Sequence, residues 1–524
     1  MSGPHLIRLL LLGIGTFLWF AIGGELLCRF EGGWRLDIAT LTGRPAAPPD
    51  PNRARESERA LLATVTYQKG VDPAWFFLPP ASIEKPASSM LRVRTAANPE
   101  GQQQQNYLWN DALLSHPDAN LVRLLRRLKI ATLFAFPSFD GSVNPPYRLY
   151  PDNDYRPTPW ITNHWGWLSP EVTVKKPSRT IRVGIVGDST SHNRYGFYLQ
   201  GFLDAWARAH GLDIRFEVMN AARQGLGFED EMAALKYELG PMGLDYVYEY
   251  FAPNFSLSLQ QMVAFATLPP GVEAGKPPLD GHPRLDAVRR ALDPLTPVSA
   301  LARSIRDGIV HEAADSSLYE PGKPRVKLHL PPVSGGKVVI EEVSKDPYFW
   351  RLLVQLSRFK VIASSLNAKP LVSTERLCVW DGMVLRNGSS RALYQKLNGP
   401  QFWPFSYADL RRVLAVHNSA ISTWAAANGV IVVDIDGRLP RLPELYIDPY
   451  HDVAISQQLR AWLIFQAMVP QLEHDLANKL VPHDNAEKSG LHPYLDKPIE
   501  VLDRNQWLAR VEEQSSAKGA TVVH

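Results

Sequence analysis

The sequence predicts an α/β protein built on a five-stranded parallel sheet, and three observations predict it. Short apolar runs rich in β-branched residues alternate with longer amphipathic stretches between residues 180 and 480. Turn-forming residues follow the end of each run. Each connection is long enough to carry a helix, which parallel strands require. The first run, residues 181–186 (Ile-Arg-Val-Gly-Ile-Val), reads as a strand buried on both faces. A helix is expected over 195–210, stopped by Gly211. A strand over 214–219 then leads into Asn220-Ala221-Ala222-Arg223-Gln224-Gly225. A helix over 229–239 and a strand over 246–251 follow, ending at Ala252-Pro253-Asn254. Residues 256–344, rich in Pro and Gly, interrupt the alternation, with a short basic helix near Leu301. It resumes with a helix over 347–366, a strand over 370–373, a helix over 407–428, a strand over 430–435 and a helix over 451–480. No internal repeat is visible.

A length of 524 residues suits one large domain with additions, or two domains. The apolar content of 45% is that of a globular protein with a substantial core. Fifty-six basic against 53 acidic residues leave a formal charge of +3, too small to argue for nucleic acid or another strongly charged partner. Two cysteines, Cys28 and Cys378, make no disulfide framework and do not locate the chain in either redox compartment. The 43 prolines point to long irregular segments between regular elements.

The amino terminus carries an uncharged apolar run from Leu9 to Gly24, bracketed by Arg8 and Glu25. Extended through Cys28 it reaches roughly the 20 residues that span a bilayer. An uncleaved anchor over residues 1–28 is the expectation, with residues 6–28 in contact with the membrane. A cleaved signal peptide is the rival reading, since Ala21-Ile22-Gly23 has the small-residue spacing of a cleavage site. A buried core helix is the third. Arg29, Arg35 and Arg44 after the span outnumber Arg8 and His5 before it, so the positive-inside rule alone would keep the body in the cytoplasm. Residues 42–55, rich in Pro, Ala and Arg, read as a tether. Residues 60–154 have little regular pattern beyond one basic amphipathic helix over 119–134. That helix either packs on the main domain or lies on an anionic membrane surface.

The chemistry lies at the strand ends. A serine hydroxyl is a poor nucleophile until a base takes its proton and a third group fixes the base's tautomer. Gly187-Asp188-Ser189 sits where the first strand runs out, the edge at which open α/β sheets place their sites. Asp448-Pro449-Tyr450-His451 offers an imidazole with a carboxylate three residues earlier. Ser189, His451 and Asp448 are thus candidates for nucleophile, base and orienting acid. The backbone N–H groups of Ser189 and Gly225 and the side-chain amide of Asn254 are candidate oxyanion donors. A side chain at 225 would obstruct approach to its N–H. Each motif has a plainer reading by itself. Asp-Ser after a strand is an ordinary helix cap, and Asn254, Gly225 and Gly227 are ordinary turn residues. Order, and placement at successive strand ends, favours the site. His192 is a weaker second base, with no carboxylate near it in sequence; His164 and His417 read as structural. No Cys/His cluster has metal spacing and no phosphate loop is present, so neither metal nor cofactor is expected.

With these blocks in order, the chain resembles the SGNH, or GDSL-like, serine hydrolases. The nucleophile block is similar to Gly187-Asp188-Ser189 with Gly196 following, and the glycine block to Asn220–Gly225. The asparagine block is similar to Ala252-Pro253-Asn254-Phe255, and the last block to Asp448-Pro449-Tyr450-His451. The resemblance covers about residues 180–260 and 347–480. Pro253 and Phe255 depart from the Gly and Asp usual around that asparagine. Thr162-Asn163-His164-Trp165-Gly166-Trp167 and Glu25-Leu26-Leu27-Cys28-Arg29 are similar to segments of membrane-anchored bacterial members.

The resemblance implies a flavodoxin-like three-layer α/β/α sandwich and ester or acyl chemistry on lipids, sugars or small esters. It also implies a catalytic domain held outside the cytoplasm on the bacterial inner membrane, against the charge rule. The expected organisation is an anchor (1–28), a tether and irregular region (29–154), a hydrolase domain (155–480) with an insertion or lid at 256–345, and a tail (481–524). The expected activity is hydrolysis of an acylated small molecule, sugar or lipid. Transfer of the acyl group to an envelope polysaccharide or glycolipid, and a non-catalytic assembly role on the same scaffold, are the alternatives. The oligomeric state is not readable.

Overall fold

The computed structural model describes residues 51–83, 135–137, 147–149, 161–223, 226–250, 266–270, 272, 326–378, 380, 397 and 402–483. Five strands, β1 (Thr180–Val186), β2 (Arg215–Asn220), β3 (Tyr246–Glu249), β4 (Lys369–Ser373) and β5 (Ile431–Val433), form one sheet. All are parallel, in the order β2-β1-β3-β4-β5. The chain builds outward from β1 to β2, then crosses back over β1 to β3 and continues the other way. That reversal, at the carboxyl ends of β1 and β3, is where open α/β sheets place their binding crevices. All seven residues of β1 are buried, whereas edge strand β2 begins exposed.

The labelled helices are α1 (Pro51–Val65), α2 (Tyr195–Ala209), α3 (Phe228–Ala233), α4 (Pro347–Ser365), α5 (Tyr407–Asn428), α6 (Ile435–Arg438) and α7 (Ala454–Ala477). Helices α2 and α7 pack together on one face of the sheet; α4 and α5, with α3 against α4, cover the other. This is a three-layer α/β/α arrangement. Helix α5 occupies the expected residues because both ends are written locally. Ser406 and Asp409 close a reciprocal capping box, and Gly429 takes the left-handed conformation after it. Asp346 caps α4 by accepting from the N–H of Tyr348 (2.8 Å), with Pro347 at the first helical position.

Four elements depart from the sequence expectation. The strand expected over 430–435 ends at Val433, because the Asp434 carboxylate accepts from the N–H of Gly437 (2.9 Å) and starts α6. The helix expected from 451 begins at Ala454. The backbone of the preceding loop is spent on an antiparallel closure: Ile447 N–H to His451 O (2.8 Å) and Val453 N–H to Leu445 O (3.0 Å). The helix expected over 229–239 is α3 followed by a widened π turn, Ala234–Leu239. Residues 51–55, read as tether, open α1.

Helix α1 docks on α7 because Leu62 and Val65, three apart, present one apolar face and are buried. Burying such side chains is worth about 1.5–3 kcal/mol each. Gln466 of α7 secures the end of α1: its carbonyl accepts from the N–H groups of Tyr67 (2.8 Å) and Gln68 (3.1 Å), and its amide donates to Val65 O (3.0 Å). The apolar stretch 9–24 and the helix expected over 119–134 lie outside the described residues. Among the described residues no helix is long and apolar enough to cross a membrane.

The amino end of the sheet holds a closed ionic network. Asp245, fully buried just before β3, accepts from Lys176 Nζ (2.6 Å) and from the N–H groups of Arg182 (2.7 Å) and His483 (2.8 Å). The Arg182 guanidinium reaches Glu217 (2.6 Å) and the carbonyls of Thr173 (2.5 Å), Val174 (3.1 Å) and Met242.

Candidate active site

Strand β1 delivers the chain to a turn that Gly187 makes feasible. Its φ is +146°, and a Cβ there would lie 2.7 Å from Ser191 Oγ. Past it, Asp188 Oδ1 accepts from both the N–H and the hydroxyl of Thr190 (2.8 Å each). The Asp188 carbonyl accepts from the N–H groups of Ser191 and His192 (3.1 and 2.9 Å). Asn193 starts α2 by accepting from the N–H of Tyr195 (2.9 Å). Gly196 lets the lead-in segment close on that helix, since a Cβ there would come 2.9 Å from Leu168 O. Asp188 therefore shapes the turn, and Ser189, between the two constraints, stays partly exposed.

The loop after β2 braces this turn. The Asn220 amide donates to the carbonyls of Ser191 (2.9 Å) and Asn193 (3.0 Å), and Arg223 N–H donates to Gly187 O (3.2 Å). Arg223 is itself buried in a two-pronged ion pair with Glu238 on the π turn, one contact at 2.8 Å. Trp167 Nε1 donates to the same carboxylate (3.1 Å).

His451 reaches Ser189 from the loop before α7. Its Nε2 lies 2.8 Å from Ser189 Oγ, and its Nδ1 lies 2.7 Å from Asp448 Oδ2. The other Asp448 oxygen accepts from the N–H groups of Tyr450 and His451 (2.9 Å each). One carboxylate oxygen thus holds the loop and the other holds the ring. Pro449 O accepts from the N–H of Cys378 (3.0 Å), tying the loop to the segment after β4. Burial pushes the Asp448 carboxyl up, but the His451 ring and the two backbone donors outweigh it and hold it at about 2. The hydrogen bond to Asp448 raises the His451 imidazole above its ordinary 6.5, against desolvation. The arrangement can pass the serine proton to Nε2 while an ionised carboxylate stabilises the charge gained at the ring.

Gly225 and Asn254 lie outside the described residues. His192 is buried beneath the turn. Desolvation, then the Arg223 charge, hold it down at about 3, so it stays neutral. His417 is buried with its Nδ1 3.0 Å from the Tyr348 hydroxyl, and His164 holds Glu171 through its exposed backbone N–H. Among the described residues no group of three His, Cys, Asp or Glu side chains could hold a metal ion.

Three features were not assigned from the sequence. Asn220 stood in a quoted block without a role. Arg460 and Asp452 form a buried ion pair behind His451; a lone Arg in Leu459-Arg460-Ala461-Trp462-Leu463 was the signal that could have found it. Glu231 and Glu249 are both buried, and each feels the other and Asp188 electrostatically. Burial raises both carboxyls, and the Asp188 charge adds to it. A carboxyl pair inside a strand-and-helix pattern gives no local signal.

No protein-family model matches the chain, and no curated protein does. Solved structures similar to it include an acetylxylan esterase from Geobacillus stearothermophilus, at 10% identity and a TM-score of 0.29, covering 57% of this chain and 96% of that one. A lipase/acylhydrolase from Enterococcus faecalis is 13% identical, TM-score 0.27, covering 56% and 96%. A GDSL-like lipase from Bacteroides thetaiotaomicron is 9% identical, TM-score 0.25, covering 55% and 88%. Scores this low carry no weight for the chemistry, which stands on the geometry above.

Proposed function

We propose that the protein is a serine esterase or O-acyl hydrolase of SGNH type, tethered to the bacterial inner membrane and acting outside the cytoplasm on an acylated carbohydrate or lipid. The observation that carries the chemistry is the unbroken contact chain Ser189–His451–Asp448, at 2.8 and 2.7 Å. Ser189 Oγ attacks the ester carbonyl as His451 Nε2 takes its proton. Asp448 keeps Nδ1 protonated and balances the imidazolium. The tetrahedral oxyanion is met by the N–H of Ser189, with Gly225 N–H and the Asn254 amide as the further donors the sequence offers. The imidazolium returns its proton to the leaving alcohol. Water, activated by the same ring, then releases the acid from the acyl-enzyme. The tether rests on the apolar residues 9–24 alone.

The test is turnover of p-nitrophenyl acetate and of an acetylated sugar, with fluorophosphonate labelling of Ser189. Free acid and a labelled Ser189 are expected. Turnover that survives Ser189→Ala would refute the choice of nucleophile, and an acylated sugar acceptor in place of free acid would assign the site to transfer. Carbonate extraction of membranes tests the tether: the full chain is expected to stay in the pellet, and release to the supernatant would exclude an integral anchor.

A further inference from the structure

We infer that Arg460 is a positioning residue for the Ser189–His451 pair, a buried guanidinium that ties the loop carrying His451 to the segments leaving β3 and β4. The inference deepens the serine-esterase reading and rests on it for its kinetic consequence.

Arg460 is 1% exposed, two turns into α7. Its Nη2 donates to Asp452 Oδ1 (3.1 Å), and its Nε stands 2.6 Å from Asp452 Oδ2, an ion-pair contact off the N–H axis. Asp452 is the residue after His451, and it also accepts from the Ser456 hydroxyl (2.9 Å). The same Nη2 lies 3.3 Å from Arg376 O, on the segment after β4. The guanidinium carbon sits 5.2 Å from the centre of the Tyr250 ring, where the chain leaves β3. Tyr250 in turn accepts, through its hydroxyl, from Arg376 N–H (3.0 Å). Three separate loop segments, numbered about 250, 376 and 452, therefore meet on one side chain.

Stability does not explain this choice. A buried ion pair returns little over an apolar pair of similar volume, because desolvation consumes the attraction. Helix α7 is otherwise apolar here, and Leu459, Ala461, Trp462 and Leu463 are all fully buried. A planar fork on a rigid helix does fix directions, which an apolar side chain does not. The direction it fixes is that of residue 452, and so of the His451 backbone one bond away. Bringing Nε2 within hydrogen-bond reach of Ser189 Oγ depends on that direction. A displacement of about 1 Å from such a geometry costs around a hundredfold in rate.

The test compares the full chain with Arg460→Lys, Arg460→Met and the neutral double variant Asp452→Asn/Arg460→Met. Each is assayed on p-nitrophenyl acetate and by the downfield proton NMR signal of the His451 Nδ1–H, assigned with His451→Gln. Arg460→Lys is expected to lose about tenfold to a hundredfold in kcat, with KM within about twofold, Tm close to that of the parent, and a shifted or broadened downfield signal. The double variant, which buries no lone charge, is expected to keep the parent's Tm yet show the same kcat defect. Parental kcat with an unmoved proton signal in Arg460→Lys overturns the inference. So does a kcat loss that follows the unfolded fraction, or full recovery in the double variant. Should the parent hydrolyse no ester, the esterase reading falls alone, and the proton signal still decides: moved supports the positioning role, unmoved overturns it.

Discussion

The two ends of the sheet bury charge in opposite styles. At the amino end the central charges are answered: Asp245 takes three donors, and Arg182 spends its fork on a carboxylate and three carbonyls. At the carboxyl end the accounting is left open. His451 is 39% exposed with one nitrogen turned to a serine, and Glu231 and Glu249 are carboxyls that burial drives toward their neutral forms. A saturated network has nothing left to exchange with a substrate, while an open one does. The difference teaches where to look in such a sheet: buried charge marks a site when its bonding capacity is unfilled, not merely when it is present.

Substitutions at the two ends should therefore separate into losses of rate and losses of stability. The largest effect is expected from Ser189→Ala, which should lower kcat on p-nitrophenyl acetate by on the order of 10⁶. Its urea midpoint should stay at the parent's value. Asp448→Asn should lower kcat by about 10⁴, because the amide no longer holds the imidazole in the needed tautomer. It also bears on pH. His451 must be neutral to accept the proton, and its pKa is raised above 6.5, so kcat/KM should climb with pH through a midpoint above 6.5. In Asp448→Asn the raising hydrogen bond is lost, and the residual activity should show that midpoint at lower pH. A midpoint that moves up would break the assignment of His451 as the base.

At the other end, Asp245→Ala strands Lys176 in the interior. It should cost about 3–5 kcal/mol of stability, read as a lower urea midpoint with unchanged kcat for the folded fraction. An equal loss of rate would erase the contrast between the ends. The smallest effect is expected from Glu249→Gln. The native state holds a proton on this carboxyl that the unfolded chain releases near 4.5. Stability contributed by that proton is fully present below about 4.5 and is lost as pH rises through the raised value. Thermal scans from pH 4.5 to 9 should show the parent's Tm falling more steeply than the variant's. Parallel profiles would mean that the carboxyl is ionised throughout.

Much of this architecture is written locally. Strand β1, its glycine turn and the capped helix α5 are dictated by residues within a few positions of one another, so periodicity and cap residues place them closely. The contact between residues 189 and 451 spans 262 positions. Composition could nominate the partners, but only the sheet order β2-β1-β3-β4-β5 brings them together. What stayed hidden depends on long-range pairing. The docking of α1 rests on Gln466, some 400 positions away. The late start of α7 rests on a closure across its own loop. The Arg460 hub rests on three loops that share no sequence neighbourhood.

That His451 comes so late in the chain has a consequence for synthesis. On the ribosome Ser189 emerges 262 residues before His451, and α7, which follows His451, is the last described element to be made. An arrested nascent chain truncated before Asp448 should carry a serine no more reactive to fluorophosphonate than any surface hydroxyl. Reactivity should switch on only once the final helix has cleared the exit tunnel.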